Sequence, residues 1–185
     1  MKKIIIMLLL SLMSTASYAF LGITGASIGY GRGDRDDIQG IRASVQWDWH
    51  KVWFAEHAIN LTGYWDLSAT QFYTRGDQQG NHKYNTSFAI APIFRIQPNS
   101  KYTPIFNPYL EASVGLAVHT QRKFALVNQG SIFAFQDLLG FGVEIGEKRK
   151  IDVSFHVLHY SNANLFPPNN GITLQTMFSF TYHFD

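Results

Sequence analysis

From Phe20 to the end of the chain, apolar and polar residues alternate with a period of two, and no segment carries a helical stripe. This is the pattern of strands whose two faces meet unlike surroundings. A Gly-rich opening strand around residues 23–31 is followed by one in which Ile41, Ala43, Val45, Trp47 and Trp49 share a face opposite Arg42, Ser44, Gln46, Asp48 and His50. The third sets Ile59, Leu61, Trp65 and Leu67 against Asn60, Thr62, Asp66 and Ser68, and the fourth sets Phe88, Ile90, Phe94 and Ile96 against Ser87, Ala89 and Arg95. The fifth opposes Leu110, Ala112, Val114, Leu116 and Val118 to Glu111, Ser113 and His119. Residues 133–146, residues 151–160 and a last run in which Phe178, Phe180, Tyr182 and Phe184 alternate with Met177, Ser179, Thr181 and His183 bring the set to eight.

An even number of antiparallel strands closes into a small barrel. Alternation alone does not say which face is inside, because a soluble barrel would turn the apolar face inward. Other features break the symmetry: the apolar face is rich in large aromatics near strand ends, as an interfacial girdle is, and the chain finishes in alternating aromatics. The polar face, with Arg42, Asp48, Asp66, Arg95, Glu111, Glu144 and Asp152, then lines the lumen. The expected fold is all-β, an eight-stranded antiparallel transmembrane β-barrel. With the chain starting in the periplasm, residues 32–37, 75–83, 119–130 and 161–171 become outside loops and residues 147–150 a periplasmic turn. The connection over 97–108 is longer than this scheme prefers.

Composition adds an export route and removes several function classes. Lys2 and Lys3, an apolar run from Ile4 to Leu12 and the small-residue stretch Ser17-Tyr18-Ala19 read as a signal peptide over residues 1–19, leaving residues 20–185 as one barrel domain. Once Lys2 and Lys3 leave, the fifteen basic residues fall to match the thirteen acidic ones, which argues against a nucleic-acid partner. Cysteine is absent, so neither disulfides nor a Cys-ligated metal is available. The histidines show no metal-ligand spacing, and no metal or other cofactor is expected. The inward charges read as a paired network that fills a narrow lumen.

Chemistry concentrates where the seventh strand runs out, at Phe155-His156-Val157-Leu158-His159-Tyr160-Ser161-Asn162-Ala163. Residues two apart in a strand share a face, so His159 and Ser161 point the same way, together with Ile151, Val153, Phe155 and Val157 on the lipid-facing wall. They sit where the strand meets an outside loop, at the level of the outer leaflet that holds lipopolysaccharide. An imidazole can take a hydroxyl proton near neutral pH, and the serine beside it then becomes an adequate nucleophile for an ester. Asn162, Asn169 and Asn170 offer amides for a developing oxyanion, though Asn in a loop also serves simply as a turn former. A His-x-Ser pair at a membrane–water interface is equally readable as interfacial polarity.

His159-Tyr160-Ser161-Asn162-Ala163, followed by Pro168-Asn169 and Gly171-Ile172, resembles the signature of the outer-membrane lipid A 3-O-deacylase family. The resemblance implies hydrolysis of the ester-linked acyl chain at the 3-position of lipid A without metal, with His159 as base, Ser161 as nucleophile and Asn169 in the oxyanion hole. It implies lipopolysaccharide as partner and the Gram-negative outer membrane as location, and a homodimer is compatible with it. One departure matters: the family's triad acid is a glutamate just after the Gly-Ile pair, where this chain has Thr173. A threonine cannot carry the charge that steadies an imidazolium, which opens a second reading, a structural or adhesion barrel with a decayed site.

Strand pairing offers a substitute acid. A hairpin of the sixth and seventh strands through residues 146–150 sets Val143 opposite Val153, Phe141 opposite Phe155, Leu139 opposite Val157 and Asp137 opposite His159; a shift of two sets Asp137 opposite Ser161. Asp137 is also the carboxylate that interrupts the apolar series Phe133, Phe135, Leu139, Phe141, Val143 and Ile145. Its role as the acid that orients His159 competes with a bulge that turns it inward. Asn162 joins Asn169 as an oxyanion candidate. Arg32, Arg35, Arg75, Lys83, Arg122 and Lys123 in the outside loops suit the phosphates of lipid A, and Phe133, Phe135, Tyr160 and Phe166 suit an acyl groove.

Overall fold

The structure is a computed structural model that describes residues 22–184 except 34, 36, 77, 78 and 104. The expected signal peptide lies outside the described residues. Eight long strands close into one antiparallel barrel: β1 (Gly25–Arg32), β2 (Ile38–Asp48), β3 (Ile59–Thr74), β4 (Tyr84–Pro98), β5 (Phe106–His119), β8 (Phe133–Ile145), β9 (Ile151–Ser161) and β10 (Ile172–His183). Two short strands, β6 (Lys123–Phe124) and β7 (Val127–Asn128), form a hairpin within the β5–β8 connection. Each long strand pairs with its barrel neighbours, and β1 closes on β10 from Gly25↔His183 to Arg32↔Thr176. Among the described residues no helix is long and apolar enough to cross a membrane.

The strands are inverted relative to a water-soluble barrel. Leu110 is 61 % exposed, Val114 64 % and Leu139 65 %, while Arg42 is 5 %, Arg95 4 %, Glu111 3 % and Asp152 1 % exposed. Exposing such a continuous apolar wall while burying guanidinium and carboxylate groups is stable only where the outer solvent is lipid. At the end that holds Gly22 and Phe184, Trp49 stacks edge-on against Trp53, Trp65 and Phe94, a girdle of the kind that sits at headgroup level. Asp48, expected in the lumen, is instead the exposed last residue of β2, because the strand ends there. The long 97–108 connection shortens to residues 99–105, since β4 runs on to Pro98 and a single 3-10 turn spans Ser100–Tyr102.

The lumen has two storeys. Near the chain ends, Arg95 donates to Glu111 (2.9 Å), Glu144 (2.9 Å) and Asp152 (3.0 Å) and lies 3.6 Å over the Tyr109 ring, while Arg42 pairs with Asp66. Breaking such a buried pair from one side costs roughly 3–5 kcal/mol, because the surviving charge stays buried. Toward the far rim the filling turns apolar: Ile38, Phe72, Leu158, Tyr160, Ile172, Leu174 and Met177 form one cluster with Phe124, Ala125 and Val127 from the β6–β7 hairpin. The connection between β5 and β8 therefore stoppers the barrel from its far end.

Candidate active site

His159 and Ser161 lie at that far rim, on the outer wall, as the parity of β9 predicts. Both are half-buried, and Tyr160 between them points into the lumen with no exposure. Tyr160 therefore does not line an acyl groove as expected; its hydroxyl donates to Gln136 (2.9 Å) and meets Thr70 across the lumen (3.2 Å), which anchors the strand segment carrying the pair.

The β8–β9 register sets Asp137 opposite His159 and Phe135 opposite Ser161, the unshifted pairing of the sequence reading. On the other flank Thr173 of β10 is the cross-strand partner of His159, and its Oγ1 lies 2.7 Å from His159 Nδ1. When Nδ1 donates that proton, Nε2 keeps its lone pair and can act as a base. The ring is thus held by Thr173, whereas Asp137 faces it from the neighbouring strand, and among the described residues no hydrogen bond joins that carboxylate to the imidazole.

Thr173 reaches this wall through a β-bulge. By the parity of Met177, Ser179 and Thr181, all buried, Thr173 belongs to the lumen. The register against β9 shifts between Leu174, paired with Leu158, and Met177, paired with His156. Gln175 and Thr176 thus oppose Val157 alone, and the extra residue exchanges the faces above it: Leu174 is buried and Thr173 turns outward. Re-aiming a side chain beside a functional site is a recurrent use of bulges.

Beyond Ser161 the chain turns through Ala163 and Asn164, both at positive φ (52° and 62°), with Leu165 N–H donating to Asn162 C=O (3.0 Å). Asn162 is fully buried, and its side-chain amide donates to the carbonyls of Gln129 and Phe166 (2.8 Å to the latter). Both amide hydrogens of Asn162, expected as an oxyanion donor, are thus engaged by backbone carbonyls of two loops. Asn169 differs. Its Oδ1 accepts from Asn162 N–H (3.1 Å), which fixes the orientation of the amide and leaves Nδ2, half-buried and without a partner among the described residues, as a donor. Gly171 closes the loop against the imidazole at φ +62°, and a Cβ there would stand 3.0 Å from His159 Cε1.

Among the described residues no hydrogen bond joins Ser161 Oγ to His159 in this geometry. Two residues along a strand place their Cα atoms roughly 6–7 Å apart, with both side chains on one face. At the opposite end, Glu144, Asp152 and His183 bring potential metal-ligand atoms within 4.8 Å of one another, but Arg95 already occupies both carboxylates. The basic loop residues do not converge as a group on the pair. Among the described residues Arg35 reaches the site loop, donating to Asn170 C=O (3.1 Å), and Arg32 pairs with Asp37. Asn128, Gln129 and Gly130, which the sequence placed in an outside loop, lie against the 162–171 loop, a contact that turn-forming Asn and Gly did not signal.

A closed antiparallel barrel with an apolar outer wall and a charged, buried lumen defines an integral-membrane β-barrel. The family model described as Lipid A 3-O-deacylase (PagL) matches residues 39–183, and the chain belongs to that family. It is 30 % identical over 96 % of its length, and 97 % of the relative's, to a protein of Pseudomonas aeruginosa named Lipid A deacylase PagL. A protein of the same name from Bordetella bronchiseptica is 26 % identical over 86 % of this chain and 83 % of its own. A crystal structure of the outer membrane enzyme PagL superposes with a TM-score of 0.75 at 26 % identity, covering 85 % of this chain and 98 % of that one.

Proposed function

We propose that this protein is a lipid A 3-O-deacylase of the Gram-negative outer membrane that takes its substrate laterally from the outer leaflet. The observation that carries the reading is His159, fixed at Nδ1 by Thr173, on one outward face with Ser161 at the far rim of a barrel of this family. A soluble substrate would have no reason to meet a dyad on the lipid-facing wall. An acyl chain already in the leaflet meets it with its ester at the rim and its hydrocarbon along Val157 and Leu139, which are exposed below the pair.

In the first half-reaction Ser161 Oγ bonds to the acyl carbonyl carbon and passes its proton to His159 Nε2. The oxyanion is stabilised by Asn169 Nδ2. Collapse breaks the ester bond, and the leaving sugar oxygen takes the proton from Nε2. Water then adds to the acyl-serine, again through Nε2, and releases the fatty acid and free serine. Thr173 keeps the imidazole in the productive tautomer, and Asp137, facing His159 across β8 and β9, supplies the negative charge that Thr173 lacks.

Mass spectrometry of lipid A from cells making the wild-type protein should show loss of one hydroxyacyl chain, and cells making Ser161→Ala should not. An unchanged lipid A profile with folded wild-type protein in the outer membrane overturns the reading in favour of a barrel with a decayed site.

A further inference from the structure

The barrel wall fixes His159, Ser161 and Thr173 by strand pairing, but Asn169 lies in the 162–171 loop, which no barrel strand pairs with. We infer that the β6–β7 hairpin is the positioning element of that loop, acting through its Asn128–Gln129–Gly130 corner, so that the stopper of the barrel also sets the oxyanion donor. The inference rests on the proposed role of Asn169.

The mechanical path is continuous. The hairpin is rooted at one end: Phe124 and Val127 are 1 % exposed in the apolar storey of the lumen, and Ala125 N–H donates to His82 C=O (3.0 Å). From that root, Asn128 exchanges two hydrogen bonds with Asn170, its N–H donating to Oδ1 (3.3 Å) and its C=O accepting from Asn170 N–H (3.2 Å). Gln129 C=O accepts from the buried Asn162 amide, the same residue whose N–H orients Asn169. Gly130, at φ +69°, leaves no room for a side chain: a Cβ would stand 1.8 Å from Phe166 C=O oxygen and 2.8 Å from that of Pro168. The corner therefore touches the loop immediately before Asn169, immediately after it, and at the residue that holds its amide. In a rigidly packed molecule a Cβ at 130 must displace the loop rather than be absorbed.

The test uses the full-length barrel, refolded in detergent, acting on lipid A in mixed micelles. Gly130→Ala should lower kcat, by up to roughly 10²-fold for a displacement near 1 Å, with KM changed less than about two-fold and the folded barrel's gel mobility retained. Asn162→Ala, which removes the clamp from the other side, gives a second arm should Gly130→Ala not fold. Both variants are then combined with Asn169→Ala. Positioning through Asn169 requires that either substitution cost little or nothing further in the Asn169→Ala background. Full multiplication of the losses overturns the inference, as does an unchanged kcat for Gly130→Ala and Asn162→Ala while Asn169→Ala is impaired. If Asn169→Ala is itself fully active, the reading of Asn169 as oxyanion donor is what fails, and the two failures are told apart.

Discussion

Strand β9 carries two histidines three residues apart that face opposite solvents. His156 points into the lumen, where its Nε2–H donates to Glu111 at 2.7 Å beside the Arg95 network. His159 points to the outer wall, where Nδ1 meets a neutral threonine. By the usual criterion for a catalytic dyad, a carboxylate behind the imidazole, the inner histidine is the better equipped. His156 and Ser154, two residues apart on one face, are nonetheless buried in the lumen at 6 % and 4 % exposure, while His159 and Ser161 share the half-buried outer face. Under the proposed function, position relative to the substrate phase selects the histidine that acts, and the group behind its imidazole tunes the rate.

Removing each histidine in turn puts this contrast at risk. His159→Ala should reduce lipid A deacylation by roughly 10⁴-fold or more, whereas His156→Gln should leave kcat within about two-fold; equal losses in steady-state assays would erase the distinction. A carboxylate can next be placed behind the outer histidine. Thr173→Glu, at the bulge-exposed position, should raise kcat by about ten- to a hundred-fold, a part of what a triad acid contributes, and no gain would mean that Asp137 already saturates this role.

Asp137→Ala should lower kcat by about ten-fold, through weakened stabilisation of the imidazolium by the charge across the strand pair. Full activity in that variant beside an inactive His159→Ala would remove Asp137 from the site. The smallest effect on turnover belongs to the lumen. His156→Gln leaves Glu111 with Arg95 and Tyr64 as partners, so its cost is that of one buried hydrogen bond to a charged group, about 1.5–3 kcal/mol. It should appear as a lower unfolding temperature on heated gels with unchanged initial rates.

The barrel is legible in the sequence because the long strands keep period two over most of their length, and β5 does so without a break from Phe106 to His119. The pairing of Asp137 with His159 is legible for the same reason: the short Gly146–Lys150 connection leaves little freedom in register. What escapes is wherever one residue interrupts that period. The Gln175–Thr176 bulge reverses the face of Thr173, and no composition signal marks it, since two polar residues in a row fit either strand or loop. Tyr160 fails as a groove residue because its parity opposes that of His159, which outweighs the suggestion of acyl contact that an aromatic beside the motif carries. The β6–β7 hairpin is indistinguishable from plain loop in the sequence, its strands being too short for periodicity to register. Asn162 shows the complementary limit: an Asn next to a nucleophile offers an amide, and only its burial reveals that the amide is already spent.

The bulge in β10 has an evolutionary consequence. The strand below it closes the barrel against β1 and β9, and that pairing is indifferent to whether an extra residue follows. Loss of a single codon at 175 or 176 would make the strand regular while leaving Leu174 opposite Leu158 and Thr173 opposite His159, so the contact with the imidazole would survive. The bulge thus reads as a one-residue insertion that the wall absorbs without losing the Thr173–His159 contact.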